Sequence, residues 1–193
     1  IASIIKHLKS SGVQFLNTLS ELSLMMHFFE KNQLIDYEVP FQVNNKKGDF
    51  DLLIKVEKHE YLIDIINIEK AENDKLENSI FSFTGCVQEC ISNKIEKKIL
   101  KKVREKCFSE LNSQKSDIKL GIAVDYTKNQ ELYSEIKQSQ KFFPNLFKDF
   151  SLSIFKRNMN ISCLIFYEYF PNSEIMASNV IIITKESISN KFA

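Results

Sequence analysis

Two different periods order the apolar residues in the first third of the chain. Between positions 13 and 30, Phe15, Leu19, Leu22, Met26 and Phe29 recur every three or four residues, with Leu24, Met25 and Phe28 beside them, which predicts a long, deeply buried helix. The pattern then changes. Asp36 to Val43, DYEVPFQV, is rich in β-forming residues and carries Pro40, which suits an edge strand, and the polar run from Asn44 to Gly48 predicts a turn. Phe50 to Val56 and Tyr61 to Ile68 are aliphatic or β-branched runs joined by Glu57-Lys58-His59-Glu60, which predicts two paired strands. Only Asp64 and Asn67 interrupt the second run, YLIDIINI; a strand so apolar on both faces is covered on both sides, which places Asp64 inside the sheet.

Further along, Leu76 to Phe108 reads as helical with a break near Gly85. Ile118 to Val124 reads as a strand ending at Asp125, and Gln130 toward Phe150 as a helix interrupted at Pro144. Ile161 to Phe170 and Asn179 to Thr184 read as two more strands. The order is helix, three strands, helix, strand, helix, two strands. It predicts an α/β fold with a central mixed β-sheet flanked by helices on both faces. No repeat, low-complexity run or Gly/Ser linker divides the sequence, so residues 1–193 are read as one domain.

A hydrophobic fraction of 44% and a charged fraction of 26% are ordinary globular usage, enough to build a core without disulfides or structural metal. No apolar run is long enough for a bilayer, and the first residues meet Lys6 too early for a signal peptide; the expectation is a cytoplasmic protein with no membrane partner. Cysteines at 86, 90, 107 and 163 form no CxxC pair and read as small buried thiols, although Cys86 and Cys90 share a helical face as half of a metal site. His7, His27 and His59 lack partners at metal or triad spacing, and no Gly-rich phosphate loop occurs.

A formal net charge of +1 does not by itself announce a nucleic-acid binder, but the charge is unevenly placed. KIEKKILKKVREK, from Lys94 to Lys106, carries seven basic residues against two acids. It reads either as the solvated face of a helix packing through Ile95, Ile99, Leu100 and Val103, or as a phosphate-contacting surface built from Lys94, Lys97, Lys98, Lys101 and Lys102.

Acids supply the sharpest chemical signal. Asp49 and Asp51 open one predicted strand, Asp64 lies within its partner, and Glu21 sits in the first helix with Leu24, Met25 and Phe28 at i+3, i+4 and i+7. A carboxylate among aliphatic residues costs several kcal/mol unless a cation or hydrogen bonds compensate it. Oxygen donors converging from a helix and two strands suit a hard divalent cation such as Mg²⁺, which polarises a phosphate and lowers the pKa of a bound water.

The run from Phe15 to Asn67, FLNTLSELSLMMHFFEKNQLIDYEVPFQVNNKKGDFDLLIKVEKHEYLIDIIN, resembles the start of PD-(D/E)XK nuclease-like, or restriction-endonuclease-like, domains. These begin with a helix bearing a glutamate, continue into a strand after a Pro-Asp step, and then into a strand reading (D/E)xK. Glu21 matches the helix glutamate. Gly48-Asp49 stands where the family has Pro-Asp, with Asp51 as an alternative frame, and Asp64-Ile65-Ile66 stands where it has (D/E)xK.

The resemblance implies catalytic and metal-binding roles for Glu21, Asp49 or Asp51, and Asp64, with Mg²⁺ as cofactor and nucleic acid, DNA rather than RNA, as partner. Ile66 is the departure. It replaces the lysine that orients the attacking water, and isoleucine neither donates a hydrogen bond nor carries charge. Lys70 and Lys55 lie too far along their strands to substitute. A lysine from the basic helix, Lys94 or Lys98 first and with Gln88 as a weaker polar partner, is expected to fill the gap if that helix packs over the hairpin. The expectation is a nuclease-like nucleic-acid-binding domain, a Mg²⁺-dependent endonuclease with impaired or lost cleavage. The alternative is an inactive interaction or scaffold module on the same fold, as a homodimer or within a larger multidomain protein.

Overall fold

The computed structural model describes residues 12–43, 45–68, 86–106, 108–114, 117–170 and 176–189. Helix α1 (Val13–Glu30) is followed by strands β1 (Leu34–Val43), β2 (Lys46–Val56) and β3 (His59–Asn67). Helices α2 (Cys86–Glu105) and α3 (Phe108–Gln114) lead to β4 (Ile118–Asp125). Helices α4 (Gln130–Phe142) and α5 (Leu146–Arg157) lead to β5 (Cys163–Glu168), β6 (Ser178–Thr184) and the short α6 (Lys185–Ser189). The six strands form one sheet in sequence order. The β3–β4 and β4–β5 pairs are parallel and the other three antiparallel. The parallel pairs demand long crossovers, which the intervening helices supply.

Alternation along the strands feeds two apolar layers. Leu24 and Phe28 of α1 pack on Ile54, Tyr61, Ile63, Ile65 and Tyr167 on one face. On the other, Ile95 and Ile99 of α2, Phe108 of α3, Ile136 of α4 and Ile154 of α5 cover Leu62, Ile66, Val124 and Phe166. The expected α/β arrangement, with helices on both faces of a mixed sheet, is present. Pro40 does lie on an edge strand, and every residue from Tyr61 to Ile66 is buried.

Several boundaries differ from the sequence pattern. Lys46 and Lys47 pair with Val43 and Gln42, so the polar run predicted as a turn lies mostly in β2. The α2 pattern gives way to a separate α3, and α5 runs on to Arg157. The first part of the predicted Leu76 helix lies outside the described residues, as do His7, Lys70 and the side chains of Cys86, Cys90, Gln88, Lys94 and Cys107. Cys163 is buried as a free thiol, as read. Among the described residues, no helix is long and apolar enough to cross a membrane.

One irregularity positions the site. Tyr37 and Leu52 pack into the layer under α1, whereas Val39 and Phe50, two residues away on the same strands, pack into the opposite layer. A regular strand would keep them on one face. The change of side occurs at Glu38, whose φ of 48° is left-handed, and at Asp51, which lies between Phe50 and Leu52.

Candidate functional site

Pairing between β2 and β3 runs from Val56↔His59 to Leu52↔Ile63 and stops one residue short of Asp51 and Asp64. Beyond that point side chains hold the strands together. Asp51 Oδ2 accepts a hydrogen bond from the Ile65 N–H at 2.6 Å, and Lys106 Nζ donates to the Asp49 carbonyl. The acidic hairpin seen in the sequence therefore lies where the sheet opens.

By alternation, Asp64 falls on the face shared with Leu62 and Ile66, under α2, and its side chain is 1% exposed. Three lysines one helical turn apart step along β3 beneath that helix. Lys98 donates to the Asn67 carbonyl at 2.8 Å, Lys102 Nζ stands 3.2 Å from Asp64 Oδ2, and Lys106 Nζ stands 2.8 Å from Asp64 Oδ1. Lys106 also lies 5.5 Å and 5.8 Å from the Phe50 and Phe41 ring centroids. Both Asp64 oxygens are buried, and the two lysine ammoniums are what compensates them.

On the opposite side of the opening, a cleft of about 420 Å³ separates α1 from the β1–β2 hairpin, with Glu21, Asp49, Asp51 and Lys106 in its walls. Burial, then the Asp64 and Glu21 carboxylates, push Asp51 up to about 8 against the Ile65 N–H and Lys106. Burial also raises Glu21; Lys128 opposes the shift and Asp64 adds to it. For Lys102, burial acts to lower the pKa, but the close Asp64 carboxylate outweighs it and the net direction is upward. Mutual repulsion of this kind is what a divalent cation relieves, and carboxylate oxygens are the donors that a hard metal such as Mg²⁺ takes. The side chains do not form a closed cage. Among the described residues, no three His, Cys, Asp or Glu side chains are grouped closely enough to hold a metal ion.

The predicted site residues thus divide. Glu21, Asp51 and Asp64 come within electrostatic range of one another, and Asp51 rather than Asp49 bonds to β3. Asp49 is exposed and takes part through its carbonyl. Ile66, 4% exposed, lies in the apolar layer with Ile95 and Ile99.

Lys98, expected with Lys94 to stand in for the motif lysine, donates to the Asn67 carbonyl, and the lysines beside Asp64 are Lys102 and Lys106. Lys102, expected on a phosphate-contacting surface, instead turns inward to Asp64. Lys97 and Lys101 are exposed as expected, Lys101 with Glu105 at 3.7 Å. Lys106 was not singled out. Its signal was available, since Lys98, Lys102 and Lys106 each follow the apolar residues Ile95, Ile99 and Val103 by three positions and so border the buried stripe.

Two further features escaped the sequence reading. Asp125 is fully buried and accepts from Ser20 Oγ at 2.6 Å, Thr127 Oγ1 at 2.6 Å and the Thr127 N–H at 2.9 Å. The Ser20 hydroxyl lies 2.9 Å from that of Tyr167. This network ties α1 to β4 and β5 at the residue next to Glu21, and so fixes where Glu21 stands. Lys128 donates to the Asn17 side chain, which brings another cation to the α1 side of the cleft.

Searches against protein-family models, curated proteins and solved structures found no match.

Proposed function

We propose that the chain is a nucleic-acid-binding domain of the PD-(D/E)XK nuclease kind, on a restriction-endonuclease-like sheet, in which the motif lysine has moved from position 66 to the end of α2. One observation carries the reading: the Lys106 ammonium stands 2.8 Å from buried Asp64, beside Asp51, at the point where the β2–β3 ladder opens. Asp51, Asp64 and Glu21 would hold a divalent cation, which when bound supplies Lewis acidity toward a phosphate and a water of lowered pKa. Lys106 and Lys102 place positive charge where a phosphodiester gains negative charge, a form of electrostatic stabilisation that is strong in a buried site. Exposed Lys97 and Lys101 would meet neighbouring phosphates, which makes DNA binding sensitive to salt.

A second reading has its own support. Asp64 is already paired with two lysines and Ile66 is packed in the core, so the same architecture can serve as a binding module without cleavage. Incubating labelled DNA with the protein in Mg²⁺ or Mn²⁺ separates the two. The nuclease reading expects metal-dependent cleavage that falls at least a hundredfold in Lys106→Met and in Asp64→Asn. If cleavage is absent from the natural chain and arises only in Ile66→Lys, Lys106 does not replace the motif lysine and the binding-module reading stands. No DNA binding at low salt ends the nucleic-acid reading altogether.

A further inference from the structure

The cleft between α1 and the β1–β2 hairpin is more than a route to the acids. Its volume of about 420 Å³ lies in the range that encloses a single small-molecule-sized ligand, which is one nucleotide unit rather than a duplex. Its walls are of mixed character. Tyr37 with Leu22 and Met25 forms an apolar side, while Gln14 and Asn17 offer amides from α1.

Tyr37 is half-buried, with its ring packed against the layer under α1. It faces α1, while Val39 packs into the opposite layer, because the strand changes side at Glu38. An aromatic beside neutral hydrogen-bonding groups is the composition that receives an unstacked base. Lys106 lines the same cleft and supplies a cation for a flanking phosphate, and Lys128 donates to Asn17 in its wall. Asp64, 1% exposed, lies too deep for the outer backbone of a duplex.

We infer that this cleft takes a single nucleic-acid strand, with one base lodged against Tyr37 and its phosphate turned toward Asp51 and Lys106. The inference rests on the nuclease reading above and specifies its substrate class as single-stranded rather than duplex DNA.

The test is fluorescence anisotropy on the full chain with a labelled 12-nucleotide single-stranded DNA and the same sequence as a blunt duplex, at low salt in Ca²⁺. Mn²⁺ binding is measured in parallel by calorimetry. The single strand is expected to bind at least tenfold tighter than the duplex. Tyr37→Ala is expected to weaken single-strand binding about tenfold, in line with the loss of one stacked base, while Tyr37→Phe retains it and both variants keep the natural Mn²⁺ affinity. Duplex binding equal to or tighter than the single strand overturns the inference, as does undiminished single-strand binding by Tyr37→Ala. If the duplex is preferred and is also cut in Mn²⁺, only this inference falls. If the natural chain binds neither Mn²⁺ nor either DNA, the nuclease reading falls with it.

Discussion

Replacing Lys106 with methionine keeps most of the aliphatic stem and removes the ammonium that joins three groups. It takes away the closer of the two cations on Asp64, the donor to the Asp49 carbonyl and the charge between the Phe41 and Phe50 rings. A hydrogen bond to a charged group is worth roughly 1.5–3 kcal/mol and a cation–π contact about 0.5–1. Lys102 remains at 3.2 Å to limit the damage. The expected loss of stability is therefore about 2–3 kcal/mol.

Asp64→Asn should cost less, about 1–2 kcal/mol. The two lysine side chains it abandons are 18% and 34% exposed and can turn toward water, and Asp51 loses a repulsive neighbour. In the double variant most of the Lys106 loss is already counted, so the two changes should fall short of additivity by about 1.5 kcal/mol. Urea unfolding of the four proteins at neutral pH measures this directly. Additivity within about 0.5 kcal/mol would refute the claim that Lys106 and Asp64 act on each other.

Other parts of the structure give independent tests. A Cβ at Gly121 would lie 2.6 Å from Ile63 Cδ1 and 2.9 Å from both Cβ and the carbonyl oxygen of Cys163; Gly121→Ala should cost about 1–3 kcal/mol in urea unfolding, and natural stability would contradict the close approach of β3, β4 and β5. Ile66→Lys buries an ammonium in the layer with Ile95 and Ile99 and should lower stability by several kcal/mol; a melting temperature within about 2 °C of the natural protein would show that position 66 is open rather than packed. Glu168, 3% exposed at the side chain, accepts from Tyr126 at 2.6 Å and Asn179 at 2.8 Å and pairs with Lys137 at 2.5 Å. Burial acts to raise its pKa, but these partners outweigh it and hold the carboxyl below its ordinary value. The unfolded chain therefore takes up that proton first, so this contribution is present above the ordinary carboxylate pKa and is lost as pH falls through the lower folded value. Melting temperature against pH should drop more steeply below about pH 4.5 in the natural protein than in Glu168→Gln, and parallel curves would contradict the assignment.

Periodicity made much of this architecture legible. Phe15 to Phe29 announced α1, although it is not deeply buried along that stripe: its buried face is Thr18, Ser20, Ser23, Leu24 and Phe28, and Phe29 is exposed; the unbroken apolar run around Asp64 announced a strand covered on both faces. The strand order follows from short antiparallel connections at both ends of the chain and helical crossovers between the parallel strands. Glu21, Asp51 and Asp64 were visible as acids in apolar company.

What escaped was tertiary. Nothing local to Glu38 or Asp51 signals that the hairpin changes side between them, since a left-handed glutamate is imposed by surroundings rather than by propensity. The choice of Lys102 and Lys106 over Lys98 depends on how far α2 runs along β3, which the sequence of the helix alone does not fix. Asp125 was legible only as the end of a strand, because its partner Ser20 lies 105 residues away and is itself bonded to Tyr167 across 147 residues. Helix α6 went unread because five residues hold barely more than one turn of periodicity.

The nuclease reading requires Asp51, Asp64 and Glu21 to share a divalent cation at the opening of the β2–β3 ladder. Crystals of the full chain soaked in Mn²⁺ and measured at an anomalous-scattering wavelength test that directly. The prediction is an anomalous peak within about 2.5 Å of carboxylate oxygens from both Asp51 and Asp64, with Lys106 still beside it. Full Mn²⁺ exposure with no peak there, and with the Asp64–Lys106 ion pair unchanged, would contradict the metal site and leave a structural ion pair in its place.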